Sequence, residues 1–171
     1  TAIAARLAAL SVVILEPKAG VIDKACGEGL MPSALQILDA LGVVLSEGHS
    51  FTGITYLDPA YPQARAGASF RSGHGLGVRR TALHTALRAR AESLGVVWQT
   101  CRVEKLDQTP NGVRIADLEA KYLVAADGLN SPIRRLLGLE VSQPDGPKRF
   151  GFRRHYGVAP WSDRVEVYWS P

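Results

Sequence analysis

Apolar positions along this chain follow two patterns that alternate with one another. Val12–Leu15 and Tyr122–Ala126 are short uninterrupted apolar runs, which predict buried strands. Thr1–Leu10 is rich in alanine and leucine and predicts the last turns of a helix packed on a sheet. Residues 32–41 and 80–94 carry leucines at helical spacing, and a glycine follows each stretch. The alternation of apolar strands with amphipathic helices predicts the α/β class.

A looser alternation of apolar and polar residues covers most of the remaining sequence. Residues 43–72 are interrupted by prolines and predict a small β insertion. Residues 96–118 alternate on both sides of Pro110–Gly112, which is a hairpin turn signal. Residues 149–156 and 164–169 predict strands of a second, antiparallel sheet.

The glycines of Gly73–Gly77 are spaced like those of a phosphate-binding loop. The segment lacks the Lys-Ser/Thr pair of a P-loop and does not follow a clear strand. We therefore predict a flexible lead-in to the helix that begins at Arg80.

Glu16 ends the first predicted strand. A helix, a tight turn, an apolar strand and a terminal acid form the second half of a β-α-β dinucleotide-binding unit. In such units the acid hydrogen-bonds the ribose hydroxyls. Glu16 is therefore a candidate ribose ligand, and Lys18 in the following loop is a further candidate cofactor contact.

Asp127 and Gly128 end the second apolar run and lead directly into a predicted helix. Ser131 followed by Pro132 is typical of a helix start, with serine as the N-cap and proline as the first helical residue. This order predicts that Tyr122–Ala126 lies beside Val12–Leu15 in one mostly parallel sheet, with Glu16 and Asp127 at the same carboxyl edge. Nucleotides bind at that edge in open α/β folds. These residues alone also allow a turn in which Asp127 hydrogen-bonds its own neighbouring backbone.

The segment Val124–Arg135, VAADGLNSPIRR, resembles the "ADG..S..R" signature of flavoprotein hydroxylases of the para-hydroxybenzoate hydroxylase type. Geranylgeranyl reductases and flavin-dependent halogenases share this signature. The resemblance implies that Asp127 and Gly128 lie near FAD. It extends more weakly to Ser131 and Arg134.

Two further segments resemble the same superfamily. The residues at 24–32 are similar to the "CGEG..P" loop of geranylgeranyl-reductase-type flavoproteins, which runs close to the flavin. That similarity implies that the approach to the isoalloxazine ring is lined by Cys26, Gly27, Glu28 and Gly29. The residues alone also allow a flexible connection in which Glu28 is a capping acid for the next helix, predicted at residues 32–41. Residues 80–87 resemble the "R..L...L" helix of the superfamily, which implies that Arg80 lies by the FAD.

The resemblance also implies how the chain is divided. Residues 1–140 are expected to form a truncated Rossmann-like FAD/NAD(P)-binding domain with the β insertion at about 43–72. Residues 141–171 are expected to begin the antiparallel sheet of a substrate-binding domain. The superfamily's Gly-x-Gly-x-x-Gly turn would precede Thr1 and its later Gly-Asp segment would follow Pro171. We therefore expect these 171 residues to be a piece of a longer protein.

Composition narrows the range of partners. Hydrophobic residues make up 46% of the chain and charged residues 21%, which is typical of an α/β chain without membrane segments. The net charge is +4, and the arginines are scattered instead of forming the basic stripe that nucleic-acid binding requires. No run of about 18 apolar residues predicts an integral membrane segment, and no signal peptide is visible. We expect cytoplasmic residence and no nucleic-acid partner.

Cysteine and histidine positions give no sign of a structural staple or a metal. Two cysteines, Cys26 and Cys101, do not make a disulfide framework. His49, His74 and His84 lack metal-ligand spacing with a cysteine or an acid, so we predict no metal site.

The function implied by the resemblance is that of an FAD-dependent oxidoreductase. It would be a monooxygenase or a reductase that acts on a hydrophobic or aromatic small molecule, with NAD(P)H as the reductant. Because a flavin carries the redox chemistry, no side chain is assigned as catalytic. Two alternatives stay open. One is geranylgeranyl-reductase-like reduction of isoprenoid double bonds, and the other is a non-catalytic α/β nucleotide-binding module.

Overall fold

The computed structural model describes residues 1–140 and 149–169. The chain forms two compact units. The first comprises Thr1–Val12, Gly20–Val97 and the described residues from Gly151 onward. The second comprises Val13–Ala19 and the described part of Trp98–Phe150. The predicted domain boundary at residue 140 adjoins residues outside the described part and stays a prediction.

The described residues contain four helices and eleven short strands. The helices are α1 (Ala2–Leu7), α2 (Pro32–Ala40), α3 (Arg80–Ser93) and α4 (Pro132–Leu136). The strands are β1 (Val13–Leu15), β2 (Gly29–Leu30), β3 (His49–Phe51), β4 (Gly53–Leu57), β5 (Arg65–Ser69), β6 (Gly75–Gly77), β7 (Val97–Gln99), β8 (Asp107–Thr109), β9 (Gly112–Ile115), β10 (Leu118–Ala120) and β11 (Arg164–Tyr168). The predicted mixed α/β class is confirmed.

Local sequence signals set the helix ends. Pro32 opens α2, where its missing N–H costs no helical hydrogen bond. Gly42 and Gly95 follow α2 and α3 with φ values of 68° and 77°, a left-handed conformation that favours glycine. Ser131 caps α4, since its Oγ accepts a hydrogen bond from the Arg134 N–H at 3.0 Å. All four helices therefore lie where the sequence predicted them.

Helix α1 packs against α3 within the first unit. Ile3 on α1 and Ala91 on α3 are buried in its apolar core, together with Val96. Arg6 joins the two helices, because its Nε donates to the Leu94 carbonyl at 2.6 Å. A cation at the end of α3 also complements the partial negative charge of the helix C-terminus.

A three-stranded antiparallel sheet in the order β2-β6-β3 corrects the prediction for Gly73–Gly77. The predicted flexible lead-in is wrong over Gly75–Gly77, which form the central strand β6. Gly75 pairs with Phe51, and a Cβ on Gly75 would collide with the buried Phe51 ring. The glycine is therefore needed for close packing of the ring against the strand, and no short-range pattern signals such a contact.

The predicted β insertion forms a second sheet in the order β11-β4-β5. Strands β4 and β5 form an antiparallel hairpin, and β11 runs parallel to β4. The strand predicted at 164–169 is confirmed as β11, whereas its assignment to a separate antiparallel sheet is wrong. The strand predicted at 149–156 is also wrong, because these residues have no regular secondary structure. Side-chain contacts of Arg153 and His155, described below, hold that segment instead.

The second unit contains the end of the β1–β7 pair and a three-stranded meander. The Glu16 N–H donates to the Gln99 carbonyl at 3.0 Å, directly after β1. Strands β8, β9 and β10 pair antiparallel in sequence order, with the predicted turn at Pro110–Gly112 between the first two. The strand predicted from residue 96 is shorter than expected and ends at Gln99.

The largest correction concerns Tyr122–Ala126, predicted as a buried strand. These residues have no assigned strand partner in the described part of the chain, and all of them are exposed. Tyr122 has 77% of its surface accessible. An apolar run becomes a strand only where a neighbour completes the hydrogen-bond ladder, so the predicted pairing of this run with β1 in one sheet is also wrong.

The helices of residues 1–140 and 149–169 include no candidate membrane span, since none combines the length and the apolar character that crossing a bilayer requires.

Candidate cofactor site

Glu28 is the most constrained of the predicted site residues in the first unit. Its φ is +54°, a left-handed conformation that costs a residue with a side chain roughly 1–2 kcal/mol. Its carbonyl accepts a hydrogen bond from the Val78 N–H at 2.8 Å, just before α3. Only 15% of its side chain is accessible. The backbone and the side chain of Glu28 are thus both held by the surrounding structure.

The Glu28 carboxylate caps helix α3. Its Oε1 accepts a hydrogen bond from the backbone N–H of Arg80 at 2.7 Å. The N-cap residue Arg79 forms no side-chain cap hydrogen bond, so Glu28 satisfies a donor that the helix start would leave open. A negative charge at this position also complements the positive end of the helix dipole. The alternative interpretation, in which Glu28 caps the next helix, is wrong about the helix, because α2 has no side-chain cap and Glu28 caps α3, 52 residues downstream.

Two basic side chains complete the surroundings of Glu28. Arg153 Nη1 donates to Glu28 Oε1 at 3.0 Å, and His155 Nε2 lies 2.6 Å from Glu28 Oε2. Arg153 Nη2 also donates to both carboxylate oxygens of Asp23, at 2.7 and 2.8 Å. Sequence analysis missed Asp23, Arg153 and His155. The only available signal was a basic Arg-Arg-His run that could complement a distant acidic loop.

This arrangement shifts the pKa values of its members. Burial raises the pKa of the Glu28 carboxyl, but the Arg80 N–H, His155 and Arg153 outweigh burial and hold that pKa below its ordinary value. The hydrogen bonds from Arg153 lower the pKa of Asp23, and Asp23 in turn raises the pKa of Arg153. Asp23, Glu28 and Arg153 are therefore all charged at neutral pH.

The other predicted residues of this loop are accessible. Cys26 is a free, exposed cysteine, and Gly27 and Gly29 are exposed as well. A Cβ added to Gly27 would meet no protein atom within 4 Å. Gly29 begins β2 and pairs with Gly77. The backbone at Gly27 is thus open to a ligand, whereas Gly29 contributes to the sheet.

In the second unit, Asp127 caps helix α4. Its Oδ2 accepts a hydrogen bond from the Ile133 N–H at 3.0 Å. Burial raises the pKa of Asp127, but hydrogen bonds from the Ser131 hydroxyl and from that N–H hold it below its ordinary value. The alternative interpretation, in which Asp127 binds its own neighbouring backbone, is confirmed.

A small cavity of about 280 Å³ lies beside Asp127 and α4. Its lining includes Gly128, Ser131 and Arg134. Gly128 has a φ of +85°, and a Cβ there would meet no atom within 4 Å. The Nε of Arg134 is buried and finds no hydrogen-bond acceptor among the described residues, while its Nη2 donates to the Leu129 carbonyl. The cavity therefore has open backbone at Gly128, and Arg134 in its lining carries a buried Nε–H without an acceptor among the described residues.

Comparison with known proteins identifies the family. The FAD binding domain family matches residues 3–169. The chain belongs to this family. The resemblance found in the sequence, to FAD-dependent oxidoreductases of the para-hydroxybenzoate hydroxylase type, is thereby confirmed.

Relatives of this FAD-binding chain include a 3-(3-hydroxy-phenyl)propionate/3-hydroxycinnamic acid hydroxylase from Mycobacterium sp. (strain JLS). It is 31% identical over an alignment of 155 residues that covers 81% of this chain and 27% of the relative. The chain thus spans only about a quarter of the curated relatives it matches.

Solved structures show the same fold. A tetrameric 2-methyl-3-hydroxypyridine-5-carboxylic acid oxygenase is 26% identical, with a TM-score of 0.67 over 80% of this chain and 38% of the other. PqsL, a probable FAD-dependent monooxygenase from Pseudomonas aeruginosa, is 19% identical, with a TM-score of 0.68 over 85% and 44% of the two chains. At that identity PqsL supports the fold alone.

The structure gathers the predicted cofactor residues into two separate groups. In the first unit, Glu28 joins the Cys26–Gly29 loop to the start of α3 at Arg80. In the second unit, Asp127, Gly128, Ser131 and Arg134 surround the start of α4. Glu16 follows β1, and its Oε1 accepts a hydrogen bond from the Lys18 N–H at 3.1 Å. The cofactor contacts of all these residues stay predictions.

The residues present fit an FAD in two observed respects. Gly27 and Gly128 leave backbone open where a Cβ would meet nothing, which suits close approach by a flat ring or a phosphate. The unused Nε–H of Arg134 is the kind of donor that a phosphate or ribose oxygen accepts.

Proposed function

We propose that the protein to which this chain belongs is an FAD-dependent monooxygenase that hydroxylates an aromatic small molecule. The observation that carries the proposal is the family match over residues 3–169, joined to the mycobacterial relative named as an aromatic hydroxylase. The 26% identical oxygenase supports it. NAD(P)H as the reductant and cytoplasmic residence belong to the proposal.

The reaction balances as follows. An aromatic C–H, dioxygen, NAD(P)H and a proton become a C–OH, water and NAD(P)⁺. One oxygen atom enters the new C–O bond and the other leaves as water, while NAD(P)H supplies two electrons. When bound, FAD supplies the redox chemistry.

The side chains of this chain bind and orient. In this proposal Glu16 accepts hydrogen bonds from the ribose hydroxyls, with one carboxylate oxygen already turned toward the Lys18 N–H. Arg80 and Arg134 offer positive charge to the phosphates. The Asp127–Gly128 turn presents open backbone, while the Asp127 carboxylate keeps α4 capped.

The second candidate function is that of a reductase, because the sequence around Cys26–Gly29 is similar to the geranylgeranyl-reductase loop. The two reactions differ in their use of oxygen. A reductase adds hydrogen across a carbon–carbon double bond and consumes no dioxygen, whereas a hydroxylase consumes one dioxygen for each substrate molecule.

The test uses the full-length protein loaded with FAD. NADH or NADPH is mixed with 3-(3-hydroxyphenyl)propionate and related phenolic acids, and oxygen uptake and product mass are followed. We expect substrate-stimulated oxygen uptake and a product heavier by one oxygen atom. Reduction of an isoprenoid double bond without oxygen uptake would support the reductase instead. If the purified protein takes up no FAD, the non-catalytic nucleotide-binding module is the alternative that remains.

A further inference from the structure

Four side chains of the first unit form an ion cluster, and among them Glu28 alone was assigned to the cofactor by sequence. The cluster consists of Asp23, Glu28, Arg153 and His155. Arg153 touches both ends of the loop between the two acids, since it binds both Asp23 oxygens and Glu28 Oε1. It also donates to the Lys24 carbonyl at 3.0 Å. The Arg153 guanidinium therefore bridges the two ends of the loop at 23–28, and we call this arrangement the Arg153 bridge.

Burial of the central pair, Arg153 and Glu28, distinguishes this ion cluster from an ordinary surface salt bridge, while its outer members Asp23 and His155 are 52% and 38% accessible. The side chains of Arg153 and Glu28 are only 19% and 15% accessible. By contrast, the pair between Arg114 and Glu119 is 57% and 69% accessible, and such exposed pairs contribute little. Arg153 uses two nitrogens on two carboxylates and one backbone carbonyl, a fork geometry that a lysine cannot reproduce.

The cluster links segments that are remote in the sequence. Arg153 lies 130 residues from Asp23 and 125 from Glu28. Residues 151–157 have no regular secondary structure, so these contacts fix where Arg153 and His155 lie. On the other side of the cluster, the loop leads to the open backbone of Gly27 and to Glu28 in its left-handed conformation.

Charge balance inside the cluster also follows from the geometry. Asp23 and Glu28 would face each other across the short loop with unbalanced negative charge if Arg153 were absent. With Arg153 in place, the loop offers its open backbone at Gly27 without a free carboxylate beside it.

We propose that Arg153 is a positioning residue for the Cys26–Gly29 loop, assisted by His155 through Glu28. This inference rests on the proposed function, in which that loop lines the flavin. Arg153 sets the shape of the loop, and its single positive charge offsets part of the negative charge of Asp23 and Glu28, which would otherwise disfavour adding electrons to a nearby flavin.

The first test does not involve FAD. Hydrogen exchange over residues 23–28 is measured in the FAD-free full-length protein as wild type, Arg153→Met and Arg154→Met. Arg154 is the matched control, since its guanidinium lies over the Tyr156 ring, 5.2 Å from the ring centre, and forms no hydrogen bond to the four described residues of the cluster. We expect exchange over 23–28 to rise about tenfold or more in Arg153→Met and to stay near wild type in Arg154→Met. Unchanged exchange in Arg153→Met would contradict the claim that the Arg153 bridge restrains the loop at 23–28.

The second test measures the reduction potential of the bound flavin. In the FAD-loaded protein we expect Arg153→Met to shift the reduction potential downward, because two carboxylates lose their counter-charge. Arg153→Lys should restore part of the potential, by keeping the charge, but little of the exchange protection, by losing the fork. A potential equal to wild type in Arg153→Met would overturn the positioning role even if exchange rises.

Failure of the proposed function gives a different result. A wild-type protein that takes up no FAD would contradict both the proposed function and the role of Arg153 toward the flavin. The exchange measurement would still show whether the Arg153 bridge restrains the loop. If Arg153→Met does not fold, as judged by circular dichroism, Arg153→Lys takes its place in both measurements. Exchange and potential both equal to wild type in that variant would overturn the proposal.

Discussion

Two acids of this chain, Glu28 in the first unit and Asp127 in the second, perform the same local task by different means. Both were predicted to lie by a flavin, and both accept a backbone N–H at the start of a helix. Asp127 reaches a helix six residues away, inside its own turn. Glu28 reaches a helix 52 residues away and is held by side chains about 125 residues away. The Asp127 cap depends only on residues of the same turn. The Glu28 cap joins segments that are remote in the sequence, so it depends on the tertiary structure.

The largest expected effect is therefore that of Glu28→Ala. The change removes the cap of α3 and leaves Arg153 and His155 without their shared carboxylate. We expect the free energy of unfolding to fall by about 2 kcal/mol, the scale of losing charged hydrogen bonds at a mostly buried position. Urea denaturation of the full-length protein measures the loss.

Arg80→Ala is the matched control for that change, because it keeps the backbone N–H that Glu28 accepts. It should cost less than about 1 kcal/mol, in line with truncation of a side chain away from the core. If the two variants were equally unstable, the Arg80 side chain would matter as much as the cap, and the cap would not explain the loss in Glu28→Ala.

A smaller effect is expected for Asp127→Ala. Loss of a helix cap typically costs about 1 kcal/mol, and Ser131 continues to bind the Arg134 N–H in this variant. Hydrogen exchange over residues 131–138 should rise, while residues 23–28 keep wild-type protection. An effect as large as that of Glu28→Ala would show that the Asp127 turn is not a self-sufficient unit.

The same contrast explains which features the sequence could predict. Pro32, Gly42, Gly95 and Ser131 mark helix ends through backbone conformation or a hydrogen bond to a near neighbour, so a short window contains the whole cause. The candidate residues of the Asp127 turn were found for the same reason.

The features that failed have distant causes. Tyr122–Ala126 is apolar enough for a strand, but strand formation depends on a neighbouring strand that no local pattern specifies. Gly75 joins a sheet because Phe51 packs on it. Arg153 belongs to the Glu28 cluster only because the fold brings residues 125 positions apart into contact.

The pH dependence of Glu28 sharpens the comparison. Its folded pKa lies below its unfolded value, so the folded state binds fewer protons and the contribution is present above the unfolded pKa of about 4.3. That contribution is lost as pH falls through the folded value. The difference in unfolding free energy between wild type and Glu28→Gln should therefore shrink between pH 6 and pH 3. Asp23 titrates over the same range in both proteins, and the comparison cancels most of its effect. A difference that stays constant down to pH 3 would contradict the charged role of Glu28.

The smallest effect on stability is expected at Gly27, where the comparison passes from folding to cofactor binding. A Cβ at Gly27 meets no protein atom within 4 Å, so Gly27→Ala should change the free energy of unfolding by less than about 0.5 kcal/mol. Gly128→Ala is the counterpart in the second unit and should cost about 1 kcal/mol, because its φ of +85° disfavours a side chain. If the Gly27 backbone approaches the flavin, the added methyl group occupies that space, and FAD affinity in the full-length protein should fall about tenfold despite the intact fold. Equilibrium dialysis with FAD measures the affinity, and urea denaturation of the FAD-free protein measures the fold. Wild-type affinity in Gly27→Ala would remove this loop from the cofactor site and leave Glu28 a purely structural cap.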